Sequence, residues 1–141
     1  MRAEYNAFLA RLRAHQMLAN KTDTVVRFNT DGSAVRANYV VAFPAVPDDL
    51  GDYRYTRGQA LDSDRFMSFD VRVVAVDADG LLLLVEAVMP QLIGHTLVVD
   101  GRVCDSIRMA TDAVEEGTVQ YDKTARLYYV DMSFEFWSRR A

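Results

Sequence analysis

Cysteine and histidine are nearly missing from this sequence: there is one Cys and there are two His in 141 residues. A single Cys104 excludes an internal disulfide framework and fits a reducing compartment. The same scarcity excludes a zinc site of ordinary make-up, which needs about four Cys, His or carboxylate ligands in recognisable spacing. Nucleophilic catalysis needs a nucleophile, a base within reach and a group to orient it. Cys104, beside Val103 and Ile107 in an apparent strand, reads instead as a small buried thiol. His15 in a helix and His95 at a strand start read as structural or surface residues. Basic charge is also short, with 16 Lys and Arg against 20 Asp and Glu for a net charge of -4. That argues against a dedicated nucleic-acid binder, which neutralises phosphates with clustered cations. Glycine is sparse, and Gly80 and Gly94 stand alone at element ends, so no glycine-rich phosphate cradle follows a strand. No apolar run approaches the roughly 20 residues of a membrane span. The opening MRAEYNAFLARLR is broken by charges where a signal peptide needs a continuous apolar region, so the expected compartment is a cytoplasm. No cofactor or metal is expected, and the weight moves from enzyme chemistry towards binding or structure.

What is present is a globular composition, 50% hydrophobic and 26% charged, at a length suited to one domain, residues 1–141. The stretch from Phe66 to Gly101 reads as strand, helix, strand. Met67, Phe69, Val71 and Val73 alternate with Ser68, Asp70 and Arg72, one face buried and one polar, before Val74 and Val76 turn apolar. Asp77 or Asp79 can cap a helix whose Leu81–Leu84, Val85, Val88 and Met89 wrap most of its circumference, which predicts a helix sandwiched in the core. Pro90 and Gly94 mark its end. His95–Val99 restarts as a strand that reverses at Asp100-Gly101, and Arg102–Met109 can pair back on it. Upstream, Tyr5, Phe8, Leu9 and Leu12 form the apolar stripe of an N-terminal helix. Thr24–Phe28 and Tyr39–Phe43 read as a hairpin around Asp31-Gly32-Ser33. The strongest strand signal is Leu127–Trp137, with Tyr128, Val130, Met132, Phe134 and Phe136 on one face. The expected fold is α+β: a mixed, mainly antiparallel sheet carrying an N-terminal helix and a buried central helix, with a long loop or protruding hairpin at 45–64.

Three groups of residues are candidates for contacts with partners. Tyr53, Arg54, Tyr55 and Arg57 in the long loop, and Trp137, Arg139 and Arg140 at the chain end, concentrate the side chains typical of interface hot spots. Their plain alternatives are a loop whose tyrosines lie back on the domain and a tryptophan that closes the core edge. Ala3, Ala7, Ala10 and Ala14 form a smooth helical strip that a second backbone could approach as a ring seam, although alanine is also simply the best helix former. Asp112, Glu115 and Glu116 make an acidic segment suited to a lumen wall. The Asp77-Ala-Asp79-Gly80 start is no calcium loop, since Val88 stands where the bidentate acid belongs.

The order of these elements, with YVVAFPA, FMSFDVRVVAV, the leucine-rich helix ending in QLIG, HTLVVDGR and YYVDMSFEFWSRR, resembles the tail terminator proteins of long-tailed (siphovirus-type) bacteriophages. The resemblance covers nearly the whole chain. It implies a structural virion protein with no bond chemistry, a homo-hexamer whose ring caps the major tail tube protein, stops its growth at the length set by the tape measure protein, and joins the tail to the head-neck connector. It places the protein at the tail-neck junction of the virion, with genome DNA passing the lumen unbound and no membrane involved. Two alternatives stay open: another neck or tail-completion connector, and a small cytosolic ligand-binding or enzymatic α/β domain in which Tyr53, Arg54 and Arg57 hold an anion.

Overall fold

In the computed structural model, residues 2–46, 64–110 and 118–141 are described. The candidates Tyr53, Arg54, Tyr55, Arg57, Asp112, Glu115 and Glu116, like most of the 45–64 loop, lie outside them. The described elements run α1 (Arg2–Arg13), β1 (Thr22–Asp23), β2 (Tyr39–Ala42), β3 (Arg65–Ala75), α2 (Ala78–Leu92), β4 (Arg102–Cys104), β5 (Arg108–Met109), β6 (Gln120–Asp122) and β7 (Leu127–Arg140). Among these, seven strands form one sheet in the order β1-β2-β3-β7-β4, with β5 and β6 also paired to β7. All pairings are antiparallel except that of β1 with β2. The mixed, mainly antiparallel α+β architecture expected from the sequence is therefore present.

Strands β3 and β7 carry the sheet. Their ladder runs without a break from Arg65↔Ser138 to Ala75↔Tyr128. Alternation assigns Met67, Phe69, Val71 and Val73 of β3, with Val130, Met132, Phe134 and Phe136 of β7, to the face covered by α1 and α2. Phe8, Leu9 and Leu12 from α1 and Leu81, Leu84, Val88 and Leu92 from α2 complete this core. Phe69 is its aromatic centre, with ring centroids 5.5 Å from Tyr5, 4.9 Å from Phe8 and 6.1 Å from Phe136. Each large side chain buried here contributes about 1.5–3 kcal/mol. The opposite face buries a smaller cluster of Tyr39, Val41, Val74 and Leu127, with Val26, Phe43 and Tyr129 packed against it.

Asp77 is the N-cap of α2: its carboxylate accepts a hydrogen bond from the Gly80 N–H at 2.6 Å. Gly80 lets the helix start close on its neighbours: a Cβ there would lie 2.7 Å from both the Asn38 amide and the Asp77 carboxylate, which would have to shift. Asn38 in turn accepts from the Val76 N–H at 3.0 Å, tying the β3–α2 turn to the start of β2. Asp77→Ala should lower the unfolding free energy by about 1 kcal/mol. A urea midpoint unchanged from the parent would remove the cap from this account.

Several expectations are corrected. The helix α2 is not sandwiched: Leu82 and Leu83 are 51% and 56% exposed, because among the described elements a single sheet layer packs on its other side. It continues two residues past Pro90, whose ring is tolerated near the end, and Ile93 caps it through its N–H to the Met89 carbonyl at 2.9 Å. Thr24–Phe28 is not a strand. The edge of β2 is taken instead by Thr22–Asp23 in parallel register, and the 24–28 backbone finds other partners, the Arg27 N–H donating to the Tyr39 hydroxyl at 3.2 Å. Only the bridge Phe28↔Ala34 remains of the expected hairpin. Residues 95–99 keep their alternation, with Leu97 and Val99 buried and Val98 93% exposed, yet pair only through the bridge Thr96↔Ser106. The reversal at Asp100-Gly101 is present, with Gly101 at φ +73° and the Arg102 N–H bonded to the Val99 carbonyl at 3.1 Å. Beyond it the chain pairs back only around Ser106 and Ile107, the Ile107 N–H donating to the His95 carbonyl at 2.9 Å, while β4, β5 and β6 share one edge of the 14-residue β7 end to end.

Candidate interaction surface

The face of the sheet that the helices leave uncovered is built by facing pairs of β3 and β7: Phe66↔Trp137, Ser68↔Glu135, Asp70↔Ser133, Arg72↔Asp131 and Val74↔Tyr129. Cross-strand neighbours on one face are close enough to interact, and here nearly every pair does. Phe66 and Trp137 rings meet at 5.3 Å. The Ser133 hydroxyl donates to the Asp70 carboxylate. Arg72 grips Asp131 with two bonds, Nε–Oδ1 at 2.7 Å and NH2–Oδ2 at 3.0 Å, while its guanidinium lies 4.8 Å from the Tyr129 ring centre and 5.9 Å from that of Phe43. This bidentate bond is the main reason the pKa of Arg72 is raised.

At one end the face sinks into an apolar cleft of about 260 Å³ lined by Val26, Phe28, Ala34, Tyr39, Val74, Ala125, Leu127 and Tyr129, with Arg72 and Asp122 as its charged members. Phe28 is 63% exposed, so the cleft opens to solvent. Asp122 is turned to its own loop, accepting from the Thr124 and Ala125 N–H groups at 2.9 and 3.2 Å. At the other end sit two of the sequence candidates. Arg139 lies 5.6 Å over Trp137 and pairs with Asp105 at 2.9 Å and more distantly with Asp64 at 3.8 Å. Its hydrogen bond is what lowers the Asp105 pKa.

Arg140 is placed elsewhere, in a second cleft with Ala3, Glu4, Arg65, Asp100, Gly101 and Arg102. The Glu4 carboxylate is buried there. It accepts from Arg65 NH1 at 3.0 Å and from the Ser138 hydroxyl at 3.0 Å, with Arg102 Nε 3.8 Å away. Arg102 also donates to Ser138, from Nε to the hydroxyl at 3.0 Å and from NH2 to the carbonyl at 2.6 Å. Burial alone would raise the Glu4 pKa, but hydrogen bonds, first from the N-terminal amino group and then from its own backbone and Ser138, outweigh it and bring the value down to about 2. Its spacing of four from Phe8 and eight from Leu12 puts Glu4 on the buried stripe of α1. The alanine strip is divided: Ala3, Ala10 and Ala14 are exposed, while Ala7 packs partly on the core.

Cys104 is buried, and burial pushes its thiol pKa up, which suits packing rather than nucleophilic attack. His15 accepts the Met17 N–H at 3.1 Å within its own turn, and His95 is exposed. Among the described residues no group of three or more His, Cys, Asp and Glu is placed to hold a metal, and no helix is long and apolar enough to cross a membrane. The described surface can therefore offer aromatic, guanidinium and apolar contacts to a macromolecule.

Compared by sequence, no protein-family model and no curated protein matches the chain. Compared by structure, it is similar to a solved chain from the virion of a native gene transfer agent particle, at TM-score 0.68 and 16% identity, over 97% of this chain and 95% of that one, a likeness that establishes a shared fold.

Proposed function

We propose that this protein is a structural component of a virion, and within that class the tail terminator of a long-tailed phage. The observation that carries the reading is the near end-to-end likeness in fold to a chain of a virion particle. The order of elements, which resembles the tail terminators, supports the finer role. On this reading the protein does no bond chemistry. It forms a homo-hexameric ring at the tail-neck junction, with one side on the major tail tube protein and the end of the tape measure protein and the other on the head-neck connector. The sheet face that the described helices leave uncovered, with Tyr129, Trp137 and Arg72 on it, is suited to such contacts. Each subunit of a head-to-tail ring uses two different patches, and a rotation that closes makes the assembly finite. Net acidity suits a lumen that genome DNA passes without binding, with Asp112, Glu115 and Glu116 as the proposed wall. Tyr53, Arg54, Tyr55 and Arg57 are proposed to meet the tube.

Added to growing tail tubes, the protein should arrest them under a single ring of roughly 95 kDa, six times the 15.9 kDa chain. Electron micrographs of tube ends and mass measurement of the released ring decide it. Stacked rings, or tubes that lengthen unchecked, would sink the terminator role, and a ring found only on the head side would favour another neck connector.

A further inference from the structure

The outer side of α2 is a ridge that no other described element covers. Asp79, Leu82, Leu83 and Glu86 are all exposed, and their spacing of three and four puts them on one face. The helix contains no Lys or Arg, so the ridge is apolar at its centre and acidic at both ends. On the far side of the sheet the cleft formed by Val26, Phe28, Ala34, Leu127 and Tyr129 is its inverse: apolar and concave, with a volume of about 260 Å³. An engineered apolar cavity of about 150 Å³ accepts a benzene, so a space of this size holds an aliphatic side chain or two. Of the charged groups in its lining, Arg72 is held by Asp131 and Asp122 by its own loop. Arg27, adjacent to Val26 and Phe28, pairs with Asp23, whereas Arg36, Lys123 and Arg126, all exposed and within two residues of the lining, hold no salt bridge among the described residues.

We infer that the α2 ridge of one copy of this chain seats in the sheet-face cleft of the next, Leu82 and Leu83 entering the apolar floor while Asp79 and Glu86 meet Arg36, Lys123 and Arg126. Ridge and cleft lie on opposite layers of the domain, since α2 packs on the face of Val40 and Ala42 and the cleft on that of Tyr39 and Val74. A subunit therefore cannot fill its own cleft. A twofold pair of ridges would oppose acid to acid, whereas ridge into cleft matches both shape and charge. The contact is head-to-tail and uses two different patches. It deepens the ring reading above and rests on it only for closure into a ring.

The test is a mixed disulfide. Leu83→Cys or Leu82→Cys on one batch, and Ala34→Cys or Ala125→Cys on another, are mixed at high protein concentration under mild oxidation, with buried Cys104 left in place and the parent as control. At least one ridge-with-cleft pairing should give a covalent dimer in high yield, while the ridge variants alone give little. Glu86→Arg should cut that yield about tenfold, and reversing Arg36, Lys123 and Arg126 to Glu on the cleft partner should restore it. Absence of every mixed dimer, or ridge-to-ridge dimers in equal yield, overturns the contact even if the parent caps tubes. Mixed dimers from a protein that leaves tubes uncapped, or a doubly substituted chain that closes at a number other than six, keep the contact and overturn the terminator reading.

Discussion

Phe69→Ala should lower the unfolding free energy by about 4 kcal/mol, the largest loss expected from any single truncation in this chain. The side chain is fully buried and is the meeting point of Tyr5 and Phe8 from α1 with Phe136 from β7. Its removal deletes apolar contact and opens a hole between the helix layer and the sheet that neither can close, because β3 is held in register by pairing along its whole length. A domain of this size has about 5–15 kcal/mol in all, so the variant would stand near the edge of folding. Urea unfolding should show a much lower midpoint with an unchanged slope. A loss below about 2 kcal/mol would mean that the layers collapse onto each other and that Phe69 is not the centre of the core.

Acid should weaken the protein through one carboxylate above all. Glu4 has a folded pKa of about 2 against an ordinary value of 4.5, and its side chain is 1% exposed. A depressed carboxylate contributes stability that is fully present above the unfolded pKa and disappears as pH falls through the folded one. The shift corresponds to about 3 kcal/mol at neutral pH, lost between about pH 5 and pH 2. Glu4→Gln keeps the shape and removes the charge, leaving the N-terminal amino group with the Arg65 and Arg102 guanidiniums facing a neutral amide. The variant should be less stable than the parent by about 3 kcal/mol at pH 7, and the two should converge towards pH 2. Parallel stability curves from pH 7 to pH 3 would show that the Glu4 charge adds nothing.

The elements legible in the sequence are those whose own residues carry the period: β3 and β7 through strict alternation, α1 through its apolar stripe, and α2 through its run of leucines and the Asp77 cap. What could not be read depends on partners far along the chain. Thr24–Phe28 has the composition of a strand, yet the β2 edge went to Thr22–Asp23, a choice made by where α1 delivers the chain. A helix apolar on nearly every side conceals which side is free, so the exposure of Leu82 and Leu83 emerges only once the single sheet layer is in place. The grip of Arg72 on Asp131 spans 59 residues and exists only in one register of β3 on β7. Glu4 was legible in principle, as an acid at helical spacing on an apolar stripe. Of the candidate contact residues, Trp137 and Arg139 share one end of the uncovered face, and Arg140 joins Ala3 in the Glu4 cleft.

The dependence of four other strands on β7 has a consequence for synthesis. Residues 127–140 leave the ribosome after every other described element, and until they do β3 has no partner on one edge while β4, β5 and β6 have none to join. The nascent chain must hold Met67, Phe69, Val71 and Val73 without their sheet for as long as some 50 residues take to translate, at about 5–20 residues per second. Closure then joins segments far apart in sequence, as in the Ser138 bond to Glu4, so folding should be slow for a domain this small. An unpaired apolar edge of that kind is a template for neighbouring chains, which makes yield in the cell a matter of how quickly β7 docks.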